Sequence, residues 1–261
     1  MSFRHKAAAC AAAMALACAC APAWSAGFTN GGFESGDTTG WTTGGGYRGY
    51  VDNASLDPLA FLPGGALYDA SVNHSAVVGS GIAPNTDGHL NQVYTGSYAF
   101  RAEDTTWGGY ASAISQRVNS YSDGQIFFAW AAVLEGAHGS DDAATFKLVL
   151  RDETLGANLI TRSFNAADDG SGVDSRFTLS TDGFYYTNWQ VEQLTLDPKS
   201  IGHDFSLTLL ASDCQPSGHS GAVYLDGFGA TVPVPEPETY ALLLAGLGVV
   251  GVVARRRKPH A

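Results

Sequence analysis

The C-terminal part of the sequence contains a cysteine and a histidine close together, and both side chains are chemically reactive. Cys214 lies five residues before His219 in a glycine-containing segment, and a thiol near an imidazole is typical of a metal site or an activated nucleophile. Zinc would need two more soft ligands, and a cysteine protease would need an orienting group and an oxyanion hole; the sequence indicates none of these. Because free cysteines are among the most buried residues, we predict that Cys214 is a buried, unmodified thiol in a packed loop.

Two further segments carry residue types that could do chemistry. The run Gly218-His219-Ser220-Gly221 is one residue short of a Gly-x-Ser-x-Gly nucleophile elbow and lies between strands rather than at a strand-to-helix turn. His138, Asp141 and Asp142 could bind a cation on a loop, and a solvated turn between two strands is the simpler interpretation. No pair of the numerous acidic residues stands out as a glycosidase acid and base. The sequence therefore predicts a protein that is not an enzyme.

Aromatic residues flanked by glycines indicate a binding surface instead. Trp107-Gly108-Gly109-Tyr110 places two rings around a flexible turn, and Tyr47 and Tyr50 lie in another glycine-rich segment. Flat aromatic faces pack against sugar rings, with polar groups nearby for the hydroxyls. Trp107 and Tyr110 are therefore candidate glycan contacts, although rings that only fill the rim of a β-sandwich would give the same pattern.

The composition indicates what kind of domain must position these residues. The chain has 261 residues, of which 45% are hydrophobic and 15% charged, with 32 glycines, which is typical of one β-rich domain with short appendages. Six of the 14 basic residues but only two of the 25 acidic residues lie in the two ends, so residues 27–232 carry a net charge of -15. Such a surface repels nucleic acid and attracts divalent cations.

The N-terminal end is a predicted secretory signal peptide, residues 1–26. Arg4 and Lys6 precede an apolar run over residues 7–21, and small residues then allow cleavage after Ala23 or Ala26. Three of the four cysteines lie in this segment: Cys10, Cys18 and Cys20. The mature chain then retains a single cysteine and cannot form an internal disulfide bond.

The C-terminal end is a predicted membrane anchor. Residues 240–254 form an uninterrupted apolar run, and as a helix they would span about 22 Å of a ~30 Å hydrocarbon core unless flanking residues join in. A basic tail at 255–258 follows at once and favours the cytoplasmic side. We therefore predict one transmembrane helix at about 239–254, with residues 27–238 outside. A buried core helix is the alternative.

A short motif precedes this helix. The triplet Pro235-Glu236-Pro237, the apolar run and the arginines of the basic tail (Arg255, Arg256 and Arg257) stand in this order. Together they resemble the PEP-CTERM sorting signal, which we place at residues 233–261. The resemblance implies a membrane-embedded exosortase as partner, and a protein held for a time in the cytoplasmic membrane before it reaches the envelope or matrix.

Between the two ends, hydrophobic alternation predicts strands. In Thr145–Arg151, Phe146, Leu148 and Leu150 share one face, as in a half-buried strand. Similar runs are residues 97–102, 111–118, 125–134, 158–164, 189–196, 204–211 and 222–231. We predict an all-β fold, an antiparallel jelly-roll β-sandwich of about nine strands over residues 27–232, with long loops within residues 36–90.

The first and last predicted strands resemble those of galactose-binding-like jelly rolls, the architecture of many carbohydrate-binding modules. The matching runs are residues 30–41, which begin Asn30-Gly31-Gly32-Phe33-Glu34, and residues 224–229, which contain Asp226 between apolar neighbours. The resemblance implies that these strands are adjacent and that Glu34 and Asp226 hold a structural calcium ion, which takes oxygen ligands. The alternative is that the two carboxylates only cap turns.

These inferences converge on an exported protein of the cell envelope or extracellular matrix. Its jelly roll would bind exopolysaccharide or other envelope proteins without catalysis, because the sorting signal that the tail resembles is that of bacteria that make exopolysaccharide, and it accompanies a binding-type fold. A secreted glycan hydrolase and a purely structural matrix component are the alternatives, and fold alone does not separate them.

Overall fold

The structure is a computed structural model that describes residues 27–72, 74–215 and 218–229. The predicted signal peptide, membrane helix, sorting triplet and basic tail lie outside these residues. Within the described part of the chain, no helix is long and apolar enough to cross a membrane.

Two antiparallel sheets face each other. The first has five strands, in the order β1 (Thr42–Tyr47), β4 (Tyr110–Val118), β11 (Phe205–Ser212), β6 (Thr145–Asp152) and β7 (Ala157–Asn165). The second has seven, in the order β2 (Ala76–Gly79), β3 (Tyr98–Ala102), β12 (Gly221–Gly229), β5 (Gln125–Glu135), β9 (Phe184–Thr187) and β8 (Phe177–Leu179), with β10 (Gln190–Thr195) also on β5. Short 3₁₀ helices cover Asn53–Ser55, Pro58–Phe61 and Pro198–Ser200. The predicted all-β antiparallel sandwich is confirmed.

The main core lies between the two sheets. Phe146, Leu148 and Leu150 of β6 are fully buried, as their alternation predicts, and they face residues of β5 such as Trp130. Each such side chain contributes about 1.5–3 kcal/mol through burial. A second cluster, which includes Tyr224, covers the opposite face of the second sheet, and this explains why β5 is apolar on both faces.

Residues 30–41 do not form the predicted first strand. They form consecutive turns, with Asn30 and Phe33 in left-handed backbone conformations. Their predicted position beside the last strand is correct, because the Phe228 N–H donates to Gly31 O at 3.0 Å. The turns arise because the glycine-rich segment lacks the apolar alternation that would favour a continuous strand.

The eight runs selected by alternation are all strands, with ends that differ by a residue or two. Four strands were not predicted: β1 and β2, which lie where long loops were expected, and β8 and β9. The three glycines of β1 hide its alternation, and β2, β8 and β9 have only three or four residues each.

Candidate functional site

Strand β12 connects two groups of polar side chains. Asp226 lies near its C-terminal end, whereas Asp213 and Cys214 lie just before its first residue, Gly221. Asp226 and Gly221 are five residues apart, or about 17 Å along a strand. The candidate calcium ligands and the candidate glycan contacts therefore lie at different ends of the sandwich.

The structure brings the two candidate calcium ligands to one backbone segment, and we call Glu34, Asp226 and residues 94–98 the acidic cradle. Both carboxylate oxygens of Glu34 accept from Ser97 N–H at 3.0 Å. The Oδ2 atom of Asp226 accepts from the N–H groups of Tyr94 and Thr95, each at 3.0 Å. Glu34, near the start of the domain sequence, and Asp226, near its end, thus both accept hydrogen bonds from the same backbone segment.

One carboxylate oxygen of the acidic cradle takes no part in these hydrogen bonds. Asp226 is fully buried, and its Oδ1 atom has no hydrogen-bond partner among the described residues. Burial raises the pKa of Asp226 to about 7, although the backbone N–H groups oppose the shift; the nearby charge of Glu34 raises it further. A buried, unpartnered carboxylate oxygen fits a cation ligand, so the residues present are compatible with calcium.

The candidate glycan contacts lie at the other end of the sandwich, in a group that we call the aromatic end: Tyr47, Tyr50, Trp107 and Tyr110. Trp107 is 71% exposed and Tyr50 78% exposed, while Tyr47 is 50% exposed. The rings of Tyr47 and Tyr110 pack edge to face, with centroids 6.1 Å apart. The structure therefore places Tyr110 beside one further ring, and the exposed Trp107 and Tyr50 lie three residues along the chain from this pair.

A buried arginine, Arg48, connects the loops of the aromatic end through hydrogen bonds. The backbone N–H of Arg48 donates to Gly109 O at 2.9 Å, which joins the two aromatic loops. Its guanidinium donates to the carbonyls of Val51 and Asp213 and to Asn53 Oδ1. Burial lowers the pKa of Arg48 to about 10. Sequence analysis did not identify this residue, because its partners lie up to 165 positions away.

Two buried carboxyl groups lie behind the same surface. Glu103 contacts His74 Nδ1 at 2.5 Å and accepts from Ser112 Oγ at 2.6 Å, and burial raises its pKa to about 7. Asp213 accepts from the N–H groups of Tyr110 and Gly221. Burial and, secondarily, the charge of Glu103 raise the pKa of Asp213 to about 8. These groups hold a proton more tightly than ordinary carboxyls do.

The predicted burial of Cys214 is confirmed, because its side chain has no exposed surface. The sequence indicated no further soft ligand for Cys214 and His219, and the structure brings one close to them. His138, which is 81 residues from His219 along the chain, places its Nε2 atom 3.1 Å from His219 Nδ1. The pairing of β5 with β12 joins the two loops that follow and precede these strands, and sequence spacing does not show such a contact.

The remaining loop residues with predicted chemistry have structural contacts. Asp142 Oδ1 accepts from Gly139 N–H at 3.1 Å and closes the turn after His138, while Asp141 is exposed. The hydroxyl of Ser220 faces Glu135 at 3.4 Å. These contacts fit the turn interpretation of the loop.

A shallow groove crosses the outer face of the five-stranded sheet. Its volume is about 270 Å³, and Ser115, Arg117, Arg151 and Thr208 contribute to its lining. The two arginines pair with the neighbouring carboxylates of Asp204 and Glu153. The groove thus has charged side chains of both signs along it, while most of its exposed lining is apolar.

Comparison with known proteins identifies the C-terminal motif. Residues 233–258 match the family described as the PEP-CTERM protein-sorting motif. The chain therefore carries this sorting motif, which implies an exported cell-surface protein processed by an exosortase. No curated protein matches the chain in sequence.

Solved structures similar to this chain include carbohydrate-binding modules. TmCBM61, solved in complex with β-1,4-galactotriose, is 15% identical, with a TM-score of 0.36 over 77% of this chain and 93% of that one. CBM28, a module specific for non-crystalline cellulose, is 13% identical, with a TM-score of 0.37 over 76% and 91%. A cyclase from Fischerella sp. TAU in complex with 4-(1H-indol-3-yl)butan-2-one is 12% identical, with a TM-score of 0.40 over 80% and 98%.

Proposed function

We propose that this protein binds polysaccharide at the cell surface or in the surrounding matrix, without catalysing a reaction on it. In this proposal a signal peptide at 1–26 exports a jelly-roll domain, and the helix at about 239–254 holds it in the membrane until an exosortase acts. The observation that carries the binding function is the exposed aromatic end. The same group of rings contains both residues that the sequence indicated, Trp107 and Tyr110.

The aromatic end has the properties of a sugar-binding surface. Large aromatic rings exposed together are uncommon on a protein that has no partner there, and Trp107, Tyr50 and Tyr47 are each at least half exposed. The buried Arg48 links their loops to each other and to the residues before β12. A prearranged surface loses little conformational entropy when a flexible glycan binds.

Calcium is the second part of the proposal, at the acidic cradle. The Asp226 Oδ1 atom would be one ligand, and Glu34 would lie beside the ion. Bound calcium would supply positive charge to a domain of net charge -15 and would hold the two ends of the described domain together. It has no catalytic role in this proposal.

Binding is tested by measuring retention of the full chain, purified in detergent, on polysaccharide extracted from the matrix of the producing cells. We expect Trp107→Ala to weaken binding about 2- to 12-fold, since an aromatic contact contributes about 0.5–1.5 kcal/mol. Leu155→Ala is the matched control, because Leu155 is 64% exposed on a distant turn. Equal retention of both variants and the parent would refute the aromatic end as the binding surface.

The same samples separate the alternatives. Release of reducing sugar from the polysaccharide would make the protein a hydrolase, and no retention of the parent would favour a structural matrix component. Sorting is tested in cells: deletion of the exosortase should leave an uncut, membrane-held form, and undiminished processing there would contradict its role.

A further inference from the structure

We propose that His138, Cys214 and His219 bind a divalent transition-metal ion, with Zn²⁺ as the preferred occupant. One ligand atom from each of these residues lies within 4.8 Å of the others. We call this group the thiol–imidazole cluster. It lies near the aromatic end of the sandwich and shares no residue with the acidic cradle.

Two of the three distances within the cluster are close to the edges of a coordination tetrahedron. Zinc bonds of about 2.0–2.1 Å to nitrogen and about 2.3 Å to sulfur, at tetrahedral angles, separate two nitrogens by about 3.3 Å and a nitrogen from a sulfur by about 3.5 Å. His138 Nε2 and His219 Nδ1 are 3.1 Å apart, and Cys214 Sγ is 3.3 Å from the same Nδ1 atom. These two distances differ from the tetrahedral edges by a few tenths of an ångström, and the third, between Cys214 Sγ and the His138 ring nitrogen, is at most 4.8 Å.

One ring nitrogen of His219 faces both of the other donor groups. An imidazole nitrogen offers either one lone pair or one proton, yet His219 Nδ1 faces both the thiol of Cys214 and the ring of His138. A single proton on this atom cannot satisfy both neighbours with good geometry. A cation accepts a lone pair from each of the three groups at once.

The loop that carries two of the ligands is prearranged by its own backbone. The Cys214 N–H donates to His219 O at 2.8 Å, and the His219 N–H donates to Cys214 Sγ at 3.0 Å. These two bonds hold the sulfur and the imidazole of the two ligands close to each other. Gly218, at φ +87°, allows this loop to lie against the Gly108 backbone, where a Cβ atom would overlap the Gly108 nitrogen.

The third ligand is held in an uncommon backbone conformation. His138 has φ +63°, which few residues other than glycine adopt, and such strain often marks functional positions. The Asp168 N–H donates to His138 O at 3.0 Å, and the Gln215 N–H donates to Asp142 O at 2.8 Å. The second of these bonds connects the His138 loop to the residue after Cys214.

The donor types select the metal and argue against a thiol nucleophile. One thiolate and two imidazoles favour zinc and similar ions over calcium or magnesium, which prefer oxygen. A nucleophilic sulfur must reach its substrate, whereas the Cys214 side chain is completely buried. Both histidines are half-buried, and three protein ligands leave a fourth position for water.

The experiment uses the full chain in detergent, with Cys10, Cys18 and Cys20 replaced by serine so that Cys214 is its only thiol. The metal-free protein is titrated with Co²⁺, whose thiolate charge-transfer band reports a sulfur ligand. We expect one equivalent to bind with this band, to be displaced by Zn²⁺ and to resist millimolar Ca²⁺. Absence of the band from the folded parent would overturn the proposal.

Variants test each ligand. Cys214→Ser should remove the band, and His138→Ala should weaken Co²⁺ binding more than about tenfold, since even outer residues of metal sites contribute that much. His89→Ala is the matched control, because His89 is exposed and distant from the cluster in sequence. If Cys214→Ser does not fold, by circular dichroism, His138→Ala alone decides, and an affinity equal to that of the parent refutes the site.

Discussion

The acidic cradle and the thiol–imidazole cluster lie near opposite ends of β12 and differ in their donor atoms and in what those atoms contact. The cradle has hard carboxylate oxygens, most of which accept from backbone N–H groups of residues 94–98. The cluster has soft sulfur and nitrogen donors, which contact one another. If both proposed sites bind metal, one strand would place ligands for two cations of different hardness on one chain, and either site could be changed without altering a residue of the other.

The largest expected effect is on the aromatic end and its support. Arg48→Met should lower the free energy of unfolding by about 3–5 kcal/mol, because it leaves several buried carbonyls without their donor. Arg117→Met is the control and should cost less than about 1 kcal/mol, since Arg117 forms an exposed ion pair. Urea denaturation of both variants measures this difference, and equal losses would show that the buried network has no special role.

A smaller effect should be specific to the cradle. Calcium at a hundredfold excess over its Kd should stabilise the parent by about 2.7 kcal/mol, measured by thermal unfolding with and without chelator. Asp226→Ala and Glu34→Ala should abolish this response, whereas Asp141→Ala, which alters an exposed acid elsewhere, should retain it. Equal responses from all three variants would mean that calcium only screens surface charge.

A further effect is a dependence on pH in the presence of chelator. The pKa of Asp226 is about 7 in the folded protein against an ordinary value near 4, so the folded state holds its proton more tightly. Stability should therefore fall as the pH rises from about 4 to about 7. Asp226→Asn should reduce this slope but not remove it, because the pKa values of Glu103 and Asp213 are also raised. An unchanged slope would contradict the raised pKa of Asp226.

The sequence predicted features that depend on local pattern and missed those that depend on long-range packing. Alternation in β6 identified its buried face, because burial on one side imposes a period of two. Strand β1 has glycines at the positions where alternating apolar side chains would have indicated a strand. A Cβ atom at Gly44 would overlap the carbonyl oxygen of Phe61, and one at Gly46 would overlap that of Leu67. Close backbone packing thus removed the side chains that would have revealed the strand.

The distinction between local pattern and long-range packing also explains which site residues the sequence indicated. Glu34 and Asp226 could be selected because each lies in a short run that resembles a known fold. The contact of His138 with His219 depends on the ladder between β5 and β12, and the support of Tyr110 by Arg48 depends on a loop contact. Neither follows from spacing along the chain, since many arrangements of strands are compatible with the same alternation.

The position of β12 also determines how the domain would carry mechanical load. The Phe28 and Phe228 rings are in contact, so both ends of the described domain emerge near the cradle, and the chain continues from there towards the sorting motif. A glycan held at the aromatic end would then pull against the tail roughly along β12, which is bonded to β3 on one side and β5 on the other. Tension in this direction shears many hydrogen bonds together instead of unzipping them one at a time, a geometry suited to a tether under flow.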